Sequence, residues 1–125
     1  MKKIIATTHA PAAIGPYSQA VEVNNTIYIS GQLPIDPKTG QFPKGGIKEQ
    51  TQQSFNNIKA ILAEAGLTTD HIVKTTVLLA SIEDFGAMNE VYTTQFGDTY
   101  PARSAFAVKD LPKGALVEIE VIAAR

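Results

Sequence analysis

The chain has 125 residues, 44% of them hydrophobic and 18% charged, and a formal net charge of −1. That composition describes one soluble globular domain over residues 1–125, long enough to bury a core without staples. The absence of cysteine excludes disulfides, thiolate metal sites and a cysteine nucleophile, and lysines that are scattered rather than striped give nucleic-acid binding little support.

The opening "MKKII" carries too short an apolar run for a signal segment or a membrane span, so the chain is expected to be cytoplasmic. Residues 3–6 suit a short strand. "QAVEV", then Asn24-Asn25, then "TIYIS" reads as a hairpin, because asparagine tolerates the positive φ of a tight turn. The Gly- and Pro-rich stretch 31–46 is expected to be loop, and its "PKTG" and "PKGG" glycines are turn formers, since no strand–loop–helix with a Walker lysine surrounds them.

From Ile47 to Ala65, Phe55, Ile58, Leu62 and Ala65 recur at helical spacing, and Gly66 stops the run. "IVKTTVLLA", 72–80, is a β-branched strand. Ser81 with Asp84 forms a capping box that opens a second helix, with Phe85, Met88, Tyr92 and Phe96 on one side and Gly97 at its end. "LPKG" predicts a type I turn that pairs 103–108 with 115–123 as an antiparallel hairpin. His9 and His71 stand far apart among polar residues, so they are expected to be surface histidines and no metal site is expected.

The sum is an α+β domain with one sheet and two helices packed on one face. Strand 72–80 offers Val73, Val77 and Leu79 on one face and Ile72, Leu78 and Ala80 on the other. Apolar residues on both faces need cover on both. With no third layer in the sequence, other copies of the chain are the simplest cover, so a homo-oligomer is expected.

Arg103 is the residue that invites a functional reading. Nine of the eleven basic residues are lysine, and the only other arginine is Arg125. In the predicted hairpin Arg103 shares a face with Glu118 and Glu120, away from the helices, beside the small Ala105 and Ala107. Two readings fit: a structural ion pair, or a carboxylate site in which the rigid guanidinium fork grips an anion and a nearby glutamate acts as base on water.

At these residues the chain resembles the reactive-intermediate deaminase (Rid, YjgF-type) family. "PARSAFAV" and "LPKGALVEIEVIA" carry the resemblance, along with "APAAIGPYSQAV", "ISGQLP", "FNNIKAILAEAG", "IVKTTVLL" and "MNEVY", in order and over essentially the whole chain. The resemblance implies a chorismate-mutase-like mixed sheet assembled as a homotrimer, with active-site clefts between subunits. It also implies hydrolysis of 2-iminobutanoate and 2-iminopropanoate, which arise when pyridoxal-phosphate enzymes dehydrate threonine or serine, to 2-oxo acids and ammonia. No cofactor is implied for this chain.

Carried over position by position, Arg103 grips the substrate carboxylate and Glu118 positions and activates the water. Tyr17 lines the cleft, the backbone around Ser30 and Gly31 contacts the substrate, and Asn89 is a cleft asparagine. Many members have cysteine where this chain has Ala105. That position is thought to act through its backbone N–H, so imine chemistry is expected to survive while thiol-based regulation or chaperone activity is put in doubt. Glu120 is assigned a structural or interface part.

On the residues alone Tyr17 could be a packed loop aromatic and Asn89 an ordinary exposed polar residue. Two other functions compete. One is a regulatory trimer that binds a 2-oxo acid without turnover, for which Glu118 is superfluous. The other is an endoribonuclease or translation inhibitor, against which stand the charge of −1 and the lack of an aromatic–basic stripe.

Overall fold

In the computed structural model, which describes residues 1–125, the chain begins with β1 (Lys3–Ile5) and a loop, then β2 (Ala20–Val23) and β3 (Thr26–Gln32). Asn24 and Asn25 take φ of 50° and 61° and turn β2 back onto β3, as expected of asparagine at such a turn. β3 runs two residues into the stretch expected to be loop, because Gly31 and Gln32 still belong to the strand.

Helix α1 (Ile47–Glu64) follows the predicted spacing: Phe55, Ile58, Ile61 and Leu62 are fully buried. Each such side chain stabilises the fold by about 1.5–3 kcal/mol relative to exposure. Glu49 accepts from the Gly46 N–H at 2.9 Å at the helix start. At its end Gly66, at φ 77°, lets the Leu67 N–H reach back to the Leu62 carbonyl at 2.8 Å.

Strand β4 (Ile72–Leu79) leads to α2 (Phe85–Thr93). Ser81 caps a short 3₁₀ turn, Ile82–Asp84, by accepting from the Glu83 N–H at 3.2 Å, so the predicted capping box is replaced by a tighter turn before the helix. β5 (Ala102–Ala107) and β6 (Val117–Ala124) complete one six-stranded mixed sheet of order β1-β2-β3-β6-β4-β5. α1 packs against β3, β6 and α2, so the apolar core lies between the helices and one face of the sheet.

The predicted final hairpin does not form. β5 pairs parallel to β4, and β6 lies on the far side of β4, antiparallel to both β4 and β3. The cause is twofold. α2 carries the chain across so that β5 returns parallel to β4. Val117, Ile119, Val121 and Ala123 are at most 2% exposed, and a strand so apolar takes the central slot. β5, exposed along most of its length, goes to the edge. The "LPKG" turn also differs from type I, because Lys113 has φ 58° and ψ 20°, close to the third position of a type II turn.

A bulge corrects the predicted faces of β4. Ile72 pairs with Ala123 while Lys74 pairs with Ile122, leaving Val73 as the extra residue. Ile72 and Thr75 therefore both face the core and Val73 faces solvent. The other face of the sheet carries Ile4, Tyr28, Leu78, Phe106 and Ile122, with Ile4, Tyr28 and Phe106 each about half exposed.

Candidate active site

Glu118 projects from β6 on the helix-free face, beside Leu78 of β4. Its carboxylate lies across Gly31, so close that a Cβ built there would collide with Oε2. Gly31 falls in the irregularity of β3 between Ile29 and Gln32, where the ladder with β6 shifts register. Any side chain at residue 31 would have to push the Glu118 carboxylate out of this place. Partial burial raises the Glu118 carboxyl above its ordinary 4.5, and the neighbouring Glu120 charge raises it further. These are the conditions that make a carboxylate a better proton acceptor.

The groove beside Gly31 is walled by the loop between β1 and β2. Gln19, only 4% exposed, fastens that loop. Its Oε1 accepts from the Thr7 N–H at 2.7 Å, and its Nε2 donates to the carbonyls of Thr7, Ala10 and Pro11. The Ser30 N–H donates to the Gln19 carbonyl at 2.9 Å and the Ser30 hydroxyl to the Ser18 carbonyl at 2.6 Å, so the same loop is stitched to β3. Tyr17 is exposed and lines the resulting groove of about 610 Å³ together with Gly31, Leu33, Ile35 and Lys113.

The groove floor is held from α1. Ser54 donates to the Gln32 carbonyl at 3.0 Å, and Asn57 Nδ2 to the carbonyls of Leu33 and Ile35 at 3.1 and 2.9 Å. These buried polar side chains satisfy irregular backbone that would otherwise be orphaned.

Arg103 stands elsewhere. Its partner on β4 is Thr75, which is fully buried, so Arg103 points to the helix side of the sheet at its edge. The guanidinium carbon lies 4.6 Å from the Tyr92 ring centroid and 5.3 Å from that of Phe85, and Nη1 donates to Asn89 Oδ1 at 2.7 Å. Arg103, Asn89, Tyr92 and Tyr100 line a shallow groove of about 430 Å³. Ala105, two residues along the same face, packs half-buried against the core.

The predicted sharing of one face by Arg103, Glu118 and Glu120 is thus corrected. Glu118 and Glu120 do share the helix-free face, but Arg103 is on the opposite one, because β5 pairs with β4 and the hairpin register does not exist. Within one chain the candidate residues form two groups: Tyr17, Ser30, Gly31 and Glu118 on one side, Asn89, Arg103 and Ala105 on the other. Nowhere do three or more His, Asp or Glu side chains converge in metal-binding geometry. His71 is used locally, its Nδ1 accepting from the Thr68 N–H at 3.1 Å. Gln19 escaped the sequence reading, and the contact of Phe85 and Tyr92 with Arg103 was not foreseen. The apolar spacing of α2 pointed to Phe85 and Tyr92 as core, and only the edge position of β5 reveals their second use.

The family model described as Endoribonuclease L-PSP matches residues 7–125. A mouse protein named 2-iminobutanoate/2-iminopropanoate deaminase is 54% identical over 123 residues, covering 98% of this chain and 91% of the mouse protein. A human protein of the same name is 50% identical, covering 98% of this chain and 90% of its own. Among solved structures, Escherichia coli TdcF with bound serine is 44% identical and superposes with a TM-score of 0.94 over 98% of each chain.

Proposed function

The chain belongs to the Rid family, also described as Endoribonuclease L-PSP, and from that premise we infer that it hydrolyses 2-iminobutanoate and 2-iminopropanoate to 2-oxo acids and ammonia. The observation that carries this is the near full-length identity, 54%, to a relative named for that activity. It is a hydrolase acting on a carbon–nitrogen bond, and its substrates are small anionic imines.

The residues support a division of labour. Arg103 keeps most of its N–H donors free after bonding Asn89 and offers a fork to the substrate carboxylate. Glu118 takes a proton from water as its oxygen attacks the protonated imine carbon. The C–O bond forms and the C=N π electrons move to nitrogen, giving a carbinolamine. Glu118 returns the proton to nitrogen; its carboxylate then takes the hydroxyl proton as the C–N bond breaks, the C=O π bond forms and ammonia leaves, and that proton passes on to ammonia or solvent. A carboxyl raised by burial suits both the taking and the returning.

Since Arg103 and Glu118 of one chain face opposite ways, the reading places the working cleft between copies. A homotrimer with the apolar sheet faces turned inward covers Tyr28, Phe106 and their neighbours. Ala105 contributes through its backbone, and the edge strand that carries it keeps donors for a ligand. The protein needs no membrane, and a cytoplasmic location fits the chemistry of clearing amino-acid imines. The net charge of −1 gives RNA little purchase despite the family's description. The test is a coupled assay: threonine dehydratase with threonine, following 2-oxobutanoate release, which this protein should accelerate. An unchanged release rate would overturn the reading.

A further inference from the structure

An exposed arginine on an edge strand has no reason to hold still. A long side chain with free rotamers presents its fork in many directions, and recognition of a planar carboxylate then loses the benefit of preorganisation. Arg103 is exposed on β5, the strand bonded on one side only. Yet its guanidinium touches three side chains of α2: Asn89 by hydrogen bond, Tyr92 and Phe85 by their rings.

Tyr92 is itself locked. It is 3% exposed, its hydroxyl lies 2.7 Å from Thr75 Oγ1, and it meets Phe55 edge-on at 5.6 Å. Thr75 is the β4 residue directly opposite Arg103. The core thus fixes Thr75, Thr75 fixes the Tyr92 ring, and the ring sets the guanidinium that grows from the neighbouring strand. Burial raises the Tyr92 phenol, so it stays neutral and its ring keeps its attraction for a cation.

We propose that Tyr92 and Phe85 are positioning residues for carboxylate recognition: their rings hold the Arg103 guanidinium, Asn89 takes one of its N–H groups, and the remaining donors are left facing the groove beside Tyr100. The proposal rests on the reading of Arg103 as the carboxylate grip. It also explains why lysine is not used here, since an ammonium is more strongly hydrated and lacks the flat surface that stacks on an aromatic ring.

The chain's two arginines make the test direct, because its NMR spectrum holds only two Nε–H signals. Arg125 is paired with the Glu22 carboxylate. Arg103 Nε–H should lie upfield through the ring currents. In Phe85→Leu, which keeps an apolar side chain and removes the ring, that signal should move toward its free position. KM for the imine and the Kd for 2-oxobutanoate should rise together, roughly three- to thirtyfold, with kcat little changed. Phe85→Tyr should restore both. Tyr92→Phe keeps the ring but frees it from Thr75, so the Arg103 signal should move only part of the way toward its free position while Tm falls as the Thr75 hydroxyl loses its partner. An unshifted Arg103 signal in the unaltered protein overturns the proposal. So does a Phe85→Leu protein that binds 2-oxobutanoate normally while Arg103→Ala does not. Unimpaired binding by Arg103→Ala overturns the carboxylate reading, and the proposal with it.

Discussion

Glu118 sits in its folded place at a cost in stability that the proposed role as base would explain. Its folded pKa is raised above 4.5, first by burial and then by Glu120. The folded form therefore binds the proton more tightly than the unfolded chain, and the stability contributed by this site is complete below the unfolded value. It is lost as pH climbs through the window from 4.5 to the raised value. Glu118→Gln should accordingly be more stable than the unaltered protein at neutral pH, the two converging in denaturant melts below the ordinary carboxylate range. Its turnover should fall about a hundredfold or more if Glu118 is the base as proposed, while 2-oxobutanoate binding is retained. Gly31→Ala should mimic the loss of turnover without removing any functional group, since the added methyl takes the space of the carboxylate. At the other half of the site, Arg103→Lys should fail nearly as badly as Arg103→Ala in the coupled assay, by about thirtyfold or more, because charge without the fork is insufficient. Full activity in Arg103→Lys would remove the fork from the mechanism.

At the scale of elements, the loop between β1 and β2 depends on one side chain. Gln19 makes four hydrogen bonds to it, and the same residue's carbonyl receives Ser30. Gln19→Ala should cost about 1–3 kcal/mol in a denaturant melt and speed amide exchange in residues 7–17 beyond the global change. Equal protection in both proteins would show that the loop is held otherwise. The elements themselves were legible in the sequence: the strand spans, the spacing in α1 and the Asn24-Asn25 turn all appear where their local chemistry puts them. What was illegible was which strand neighbours which. A Pro-Gly turn between two β-branched runs looks like a hairpin, and nothing local to residues 101–121 shows that β4 lies between them. The Val73 bulge is equally silent, because alternation cannot reveal one extra residue in a strand apolar on both faces. Arg103 and Glu118 could thus be singled out from the sequence, but it misplaced their faces relative to each other.

For the whole molecule, the opposite facing of Arg103 and Glu118 means that the proposed chemistry requires assembly. Sedimentation should give three times the chain mass of 13.4 kDa. A sharper measurement mixes two inactive variants, Arg103→Ala and Glu118→Gln, by unfolding and refolding them together. If each cleft takes its arginine from one copy and its glutamate from another, random assembly leaves about a quarter of the clefts with both groups intact, and activity returns to that level. If both groups came from the same copy, every cleft would keep one defect and the mixture would stay inactive.

The same two-faced sheet has a consequence for inheritance. If the clefts form between copies as proposed, each chain lends half of itself to two clefts, so a damaged copy is not confined to its own share of the work. On that reading a chain defective only at Arg103 would silence one cleft in the trimer it joins. A chain that misplaces β4, the strand on which Thr75 fixes the arginine's side and Leu78 borders the glutamate's, silences two. In a cell carrying one normal and one altered gene, the severity of an allele should follow how many faces of the sheet it disturbs, and changes in the central strands should be the more dominant.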